Sequence, residues 1–208
     1  MQETPIPQKQ TFTDQLRVIF KGLLDGIAKA LLSIGLTPNQ VTVAGLLFHI
    51  VAAYLAAKGY FLACGLMLLL LAPTDAVDGT MARLSGKVSS FGGFLDSVID
   101  RYSELVLFGG LVYYGITISD GLFVMAAFLS AVGAIMVSYT RARGEAAGFD
   151  VKIGLLSRVE RYIVLIPFLI VGVPFIALAI LAIFTNTTAI HRILEVRRQA
   201  SLRDKSTQ

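Results

Sequence analysis

Asp75, Asp78, Asp96 and Asp100 fall in the stretch DAVDGTMARLSGKVSSFGGFLDSVID, within a chain that is 55% hydrophobic and only 15% charged. An ionisable group at membrane depth costs a few kcal/mol unless it is paired or coordinated, so such residues are functional-site candidates by default. Four carboxylates at one point repel one another unless cations neutralise them. Ligands that offer only oxygen favour Mg2+, Mn2+ or Ca2+ over zinc or iron. Two divalent ions on four aspartates form the clamp that stabilises attacking and leaving oxygens in a phosphoryl displacement. Gly79 follows Asp78, and Gly92 and Gly93 precede Asp96, where missing side chains let a substrate or a neighbouring backbone come close. Arg83 lies about two helical turns after Asp75 and can grip a phosphate bidentately.

Two helices must position these groups. Asp75 and Asp78 are three apart and Asp96 and Asp100 four apart, so each pair projects from one face of its helix. The short polar loop Ser85–Ser90 makes the two helices antiparallel, and both pairs lie roughly two to three turns in from it. Around them the pattern predicts an all-α integral membrane protein with six transmembrane helices, about 39–58, 61–84, 92–116, 120–142, 155–171 and 174–195. Each approaches the roughly 20 residues that cross a ~30 Å hydrocarbon core. Gly59-Tyr60 and Gly172-Val173 read as tight turns, and Thr37 with Pro38 as the cap and first turn of the first span.

Upstream, Leu16, Ile19, Phe20, Leu23, Ile27, Leu31 and Ile34 recur on one helical face, with Asp14, Arg17, Lys21, Asp25 and Lys29 between them. That predicts an N-terminal amphipathic helix from Thr11 to about Ile34, lying in the membrane interface. The expected organisation is a tail and juxtamembrane helix over 1–36, a six-helix catalytic domain over 37–196, and a short basic tail over 197–208 that frays.

A mean hydropathy of +0.73 excludes an ordinary soluble domain. Cys64 is the sole cysteine, which rules out an intramolecular disulfide and a thiolate zinc cluster. The net charge of +4 does not indicate nucleic acid, because the basic residues flank apolar segments. Instead they follow the positive-inside rule. With the N-terminus in the cytoplasm, Lys87, Arg141, Arg143, Lys152, Arg158, Arg161 and the tail from Arg192 to Lys205 all lie inward, while the outward turns hold Lys58. Both termini and the aspartates are therefore expected at the cytoplasmic face of the cell membrane. The N-terminus MQETPIPQKQTF shows no removable targeting pattern. An ion- or proton-coupled transporter is the competing class, but its charged sites usually lie near the bilayer midplane.

A second basic cluster bears on the attacking partner. Ser138-Tyr139-Thr140-Arg141-Ala142-Arg143 ends the fourth predicted span, Arg158-Val159-Glu160-Arg161 begins the fifth, and His191-Arg192 ends the sixth. Arginines converging beside the aspartates imply an acceptor that carries its own phosphate, since a cationic alcohol would be repelled. Glu104 and Arg101 are expected to orient the aspartates, and His49 to be a hydrogen-bonded core histidine.

At every defining position, Asp75-x-x-Asp78-Gly79-x-x-Ala82-Arg83, eight residues, then Gly92-x-x-x-Asp96-x-x-x-Asp100 resembles the signature of the CDP-alcohol phosphotransferases. The resemblance implies attack by an alcohol on the lipid-side phosphorus of CDP-diacylglycerol or its ether-lipid equivalent, releasing CMP. It also implies that Asp75, Asp78, Asp96 and Asp100 hold Mg2+ or Mn2+, as two ions, and that Asp100 is the proton acceptor. Pro38, Asn39, Gln40, Val41, Gly79, Ala82, Arg83 and Ser89 would bind the CDP-lipid. The run SYTRARGE…GLLSRVERYI is similar to the branch that makes phosphatidylinositol phosphate or archaetidylinositol phosphate. Ser138, Arg141, Arg158, Arg161 and Arg192 would then bind the phosphate of inositol phosphate, with glycerol 3-phosphate the alternative acceptor. The family resemblance further suggests a homodimer.

Overall fold

A computed structural model describes residues 21–206 except 152 and 155, and describes residues 75 and 206 by their backbone alone. The expected helical residues Thr11–Phe20, the inward charge Lys152 and the start of the fifth predicted span at residue 155 lie outside the described residues. The described residues form eight α-helices and no strand: α1 Lys21–Ser33, α2 Pro38–Ala57, α3 Phe61–Leu71, α4 Thr74–Leu84, α5 Ser90–Thr117, α6 Gly121–Ala146, α7 Arg158–Val171 and α8 Pro174–Ser206.

Four stretches are long and apolar enough to cross a membrane: α2, α3 with α4 taken together, α6 and α8. The chain is a multi-pass membrane protein. Among the other two predicted spans, α5 has 28 residues but carries Asp96, Asp100, Arg101 and Glu104, and α7 has 14. The second predicted span is interrupted at Ala72-Pro73. Proline supplies no N–H to the helical ladder, and the Thr74 hydroxyl takes up the Leu71 carbonyl at 2.7 Å beside the break.

The turns follow their sequence chemistry. Thr37 and Gln40 form a reciprocal capping box before Pro38, Ser89 caps α5 through the Gly92 amide at 3.0 Å, and Gly172 ends α7 in the left-handed conformation at φ 82°. Large apolar side chains such as Leu70, Val171 and Leu122 are exposed on the outer surface, as a lipid-facing surface requires. The interior combines large side chains such as Leu68, Leu107, Leu111 and Leu169 with small ones, among them Ala52, Ala56, Cys64, Ala127, Ala134 and Ala177.

α2 is the hub of the half that carries the aspartates. It packs on α3, α4 and α5, and α5 continues onto α6. α6 and α8 form the other tight pair, joined through the Ser130 hydroxyl, which donates to the Leu178 carbonyl at 2.9 Å. A Cβ on Gly110 would stand 2.2 Å from the Ala53 carbonyl oxygen. That glycine therefore sets how closely α5 approaches α2.

α1 corrects the simple one-faced reading of the N-terminal helix. Leu24 and Ala28 are buried against Val77 and Met81 of α4, whereas Leu23, Ile27 and Ile34 are exposed. The helix carries two apolar stripes, one packed on α4 and one turned outward. The C-terminus also differs from expectation. α8 stays helical to Ser206, supported by the Arg198–Glu195 ion pair at 2.6 Å and by contacts to the segment preceding α7.

Candidate active site

The aspartate pairs lie on α4 and α5, and these two helices are brought together by both leaning on α2. Asp78 is buried and accepts a 2.6 Å hydrogen bond from the Thr42 hydroxyl of α2. Asp78 and Asp100 line one small cavity with Thr42, Gly45, Thr74, Ser103 and Arg158. Asp96 and Asp78 both lie within Coulombic reach of Asp100. Three expected metal-site carboxylates are thus gathered at one level; the side chain of Asp75, the fourth, lies outside the described residues. Among the described residues no three carboxylate, histidine or cysteine side chains already form a closed ligand set.

The donor chemistry nevertheless fits a divalent cation. Mutually repelling carboxylates on two helices, one already oriented by a hydroxyl from a third, form an oxygen-rich site that a cation relieves. In this structure the cationic partner of Asp100 is Arg158, whose Nη1 lies 2.6 Å from Oδ1. Arg101, expected to orient Asp100, is 4.0 Å away and donates to the Ser97 carbonyl.

The residues assigned to the CDP-lipid separate into two groups. A Cβ on Gly92 would lie 3.1 Å from the Ser89 hydroxyl and 3.4 Å from Asn39 Oδ1, so Asn39 and Ser89 meet at the mouth between α2 and α5. Arg83 is exposed and folds back along α4. Its Nη2 donates to the Thr80 hydroxyl at 2.9 Å, and its Nη1 lies 3.6 Å from where a Cβ on Gly79 would stand. Ala82 is on the same helix. Gln40 and Val41, by contrast, have structural occupations: the Gln40 side chain accepts from the Thr37 amide at 2.9 Å, and Val41 packs against the α1–α4 cluster. Pro38 opens the helix that carries them.

The basic cluster converges, but its members are already engaged. Arg192 lies within Coulombic reach of Arg141 and Arg161, and Arg161 of Arg158. Arg161 is buried and forks onto Glu104, with Nε to Oε1 at 2.8 Å and Nη2 to Oε2 at 2.8 Å; its Nη1 holds the Leu156 carbonyl at 2.8 Å. Glu104 therefore does not orient the aspartates as expected; it holds Arg161 and ties α5 to α7. Arg192 donates to the Ile153 carbonyl at 2.8 Å and to the Val137 carbonyl. Arg141 is exposed and pairs with Glu145 at 2.9 Å. The Ser138 hydroxyl turns back to the Ala134 carbonyl at 3.3 Å.

Two residues outside the sequence-based set join this site. Thr42 is one turn beyond Asn39, so helical spacing from Asn39 was its available signal. Tyr162 is one turn beyond Arg158; the Arg158 guanidinium sits 5.5 Å from its ring centroid. His49 is buried and hydrogen-bonded at both nitrogens, Nδ1 to the Gly45 carbonyl at 2.7 Å and Nε2 to the Tyr162 hydroxyl at 3.0 Å. A carbonyl only accepts, so Nδ1 carries the proton and Nε2 accepts from Tyr162. Histidine, tyrosine and arginine thereby form a polar chain from α2 to Asp100.

A bundle of membrane helices that gathers aspartates beside a group of arginines belongs to a defined class. Residues 35–191 match the model of the CDP-alcohol phosphatidyltransferase family, and the chain is a member of that family. It is 38% identical over 194 residues to the archaetidylinositol phosphate synthase of Pyrococcus horikoshii, covering 90% of this chain and 98% of that one. It is 34% identical over 221 residues to the phosphatidylinositol phosphate synthase of Streptomyces avermitilis, covering 98% and 90%. The fold matches the crystal structure of the Mycobacterium tuberculosis phosphatidylinositol phosphate synthase with CDP-DAG bound, with a TM-score of 0.78 and 29% identity over 83% of this chain and 92% of that one. The same enzyme has also been crystallised in complex with manganese and citrate.

Proposed function

We propose that this protein transfers the lipid phosphate group of a CDP-linked lipid, CDP-diacylglycerol or an ether-lipid equivalent, to the hydroxyl of a phosphorylated alcohol and releases CMP. Inositol phosphate is the favoured acceptor, glycerol 3-phosphate the second. The observation that carries this reading is the junction of the two clusters: Arg158 of the basic group sits 2.6 Å from Asp100 of the acidic group. An acceptor phosphate held by such arginines brings its hydroxyl to the aspartates. The family relatives named for inositol phosphate products support the same acceptor.

In the reaction the acceptor oxygen bonds to the lipid-side phosphorus, and the bond from that phosphorus to the CMP oxygen breaks. CMP leaves with the bonding electrons, and the hydroxyl proton passes to Asp100, the proton acceptor. Asp75, Asp78, Asp96 and Asp100 would hold divalent metal, Mg2+ or Mn2+ as two ions; the manganese complex of the structural relative supports the metal class. Such a metal neutralises charge at the phosphates. Thr42 keeps Asp78 oriented. Asn39, Ser89, Gly79, Ala82 and Arg83 line the CDP side, with Arg83 facing charge that develops on the departing CMP. Ser138, Arg141, Arg158, Arg161 and Arg192 shape the acceptor side.

The membrane placement that suits this chemistry has six spans, α5 and α7 included, with residues 37–196 as the catalytic domain. Both termini and the active site face the cytoplasm, where the nucleotide and the polar acceptor are found. The outward stripe of α1 then lies in the interface. A homodimer is the expected assembly. The test is CMP release by the purified protein given a CDP-lipid, Mg2+ and inositol phosphate; no CMP with any phosphorylated or free alcohol would refute the proposal.

A further inference from the structure

α8 is longer than a bilayer crossing needs. This helix runs 33 residues, about 50 Å at 1.5 Å per residue, and continues well past its apolar half. One stripe of it, Thr188, Arg192, Val196, Gln199 and Arg203, recurs at three- and four-residue spacing and faces described residues of the segment 147–157 between α6 and α7.

The contacts succeed one another turn by turn. Arg203 donates to the Gly148 carbonyl and lays its guanidinium 4.4 Å from the Phe149 ring centroid. Gln199 bonds both backbone groups of Asp150, accepting from its amide at 3.1 Å and donating to its carbonyl at 2.7 Å. Val151 is fully buried where a Cβ on Gly144 would meet it at 2.3 Å and Val196 at 3.4 Å. Arg192 holds the Ile153 carbonyl at 2.8 Å. Gly154 presses on Thr188 so closely that a Cβ would stand 2.4 Å from its methyl group.

The segment so held has unusual backbone. Gly148 and Gly154 have positive φ, and so does Leu156, at 65°, a conformation that an ordinary side chain adopts only when its surroundings impose it. Leu156 is also where the segment meets the site, because its carbonyl accepts from Arg161 at 2.8 Å. Ser157 then caps α7, and Arg158, bound to Asp100, is the first residue of that helix. The segment is thus tied to α8 at one end and to the acceptor arginines at the other.

We propose that the C-terminal extension of α8 is a splint for the acceptor pocket. Gln199 and Arg203 are positioning residues that act through segment 147–157 on Arg158 and Arg161, and so set affinity for the phosphorylated alcohol without touching either substrate. This rests on the reading of those arginines as the acceptor side. It gives the polar C-terminal residues a role in recognition instead of a frayed tail.

The full-length protein in detergent or nanodiscs, carrying Gln199→Ala with Arg203→Ala, tests the splint by two measurements. Hydrogen exchange across 147–157 should become faster while exchange in α2 and α5 stays unchanged. The KM for inositol phosphate should rise about tenfold, within the ~100-fold that misplacing a binding group can cost, while the KM for the CDP-lipid stays within about twofold. Arg203→Lys, which keeps a cation over Phe149 and a donor toward Gly148, should recover most of the acceptor affinity. The single Gln199→Ala variant, a milder change, should move both readouts in the same direction. Unchanged exchange, or equal rises in both KM values, overturns the splint while leaving the enzyme reading intact. Faster exchange with an unchanged acceptor KM also overturns it. No CMP release by the unmodified protein would refute the functional reading first, and this inference with it.

Discussion

The pairing of Asp78 with Thr42 and of Arg161 with Glu104 decides how single substitutions will read. Thr42→Val keeps the shape of α2 but removes the 2.6 Å hydrogen bond to Asp78. Loss of a group that orients a metal-binding carboxylate typically costs 10- to 100-fold in affinity, so the Mn2+ dissociation constant, read by calorimetry, should rise about tenfold. Asp96→Asn removes a carboxylate outright; it should abolish turnover and weaken Mn2+ binding still further, and near-normal activity at ordinary Mg2+ would speak against the metal assignment. Glu104→Ala leaves Arg161 buried and without its carboxylate. Breaking a buried pair costs ~3–5 kcal/mol, measurable as a large fall in thermal unfolding temperature. Glu104→Leu combined with Arg161→Met should restore much of that stability but not acceptor affinity. If acceptor KM also recovers, Arg161 does not serve the acceptor.

At this scale the sequence was most readable where charge met apolar surroundings. Asp78, Asp96 and Asp100 are costly in a membrane wherever they stand, so their presence alone marks them as site candidates. The partner of Glu104 is 57 residues away, whereas helical spacing along α5 offers only the nearby aspartates. The family resemblance groups Gln40 and Val41 with Asn39, and successive helical residues point about 100° apart. Only Asn39 of the three approaches the Ser89–Gly92 mouth.

Among the elements, α2 matters more than its sequence advertised. The hairpin of α4 and α5 was legible from its loop and its aspartate spacing, but the support that brings its two arms together is a third helix. Gly110 is the contact that permits this, with the Ala53 carbonyl where a Cβ would go. Gly110→Ala should push α5 off α2 and cost about 1–3 kcal/mol as overpacking, with a fall in kcat larger than any change in either KM, because the aspartates on α4 and α5 lose register. Unaltered unfolding and kinetics would show that the helices can separate without consequence. The break at Pro73 and the two-striped α1 were visible in part. Proline at 73 and apolar residues at both 24 and 23 were there to read, but periodicity cannot say which stripe meets protein. The helical extension of α8 was hidden for a different reason: its stability comes from Gln199 and Arg203 reaching a segment about 50 positions earlier, a tertiary effect that overrides local fraying.

For the whole molecule, hydropathy and charge placement carried the class. A chain this apolar is a multi-pass membrane protein, and four of its stretches satisfy length and apolarity outright. α5 falls outside that test because Asp96, Asp100, Arg101 and Glu104 are what a membrane span normally lacks; under the proposed function those same charges would disguise a span. The division of labour is the central claim: aspartates on α4 and α5 break the CDP-lipid, and arginines on α6, α7 and α8 choose the alcohol. Removing divalent metal with EDTA should stop the reaction and added Mg2+ or Mn2+ restore it, with the same acceptor preference before and after. The most direct measurement offers purified protein a CDP-lipid and Mg2+ with inositol phosphate and glycerol 3-phosphate in competition, and follows CMP together with the lipid product. The account predicts CMP release with the inositol phosphate lipid as the main product. CMP release with glycerophosphate lipid predominating, or no CMP at all, would contradict it.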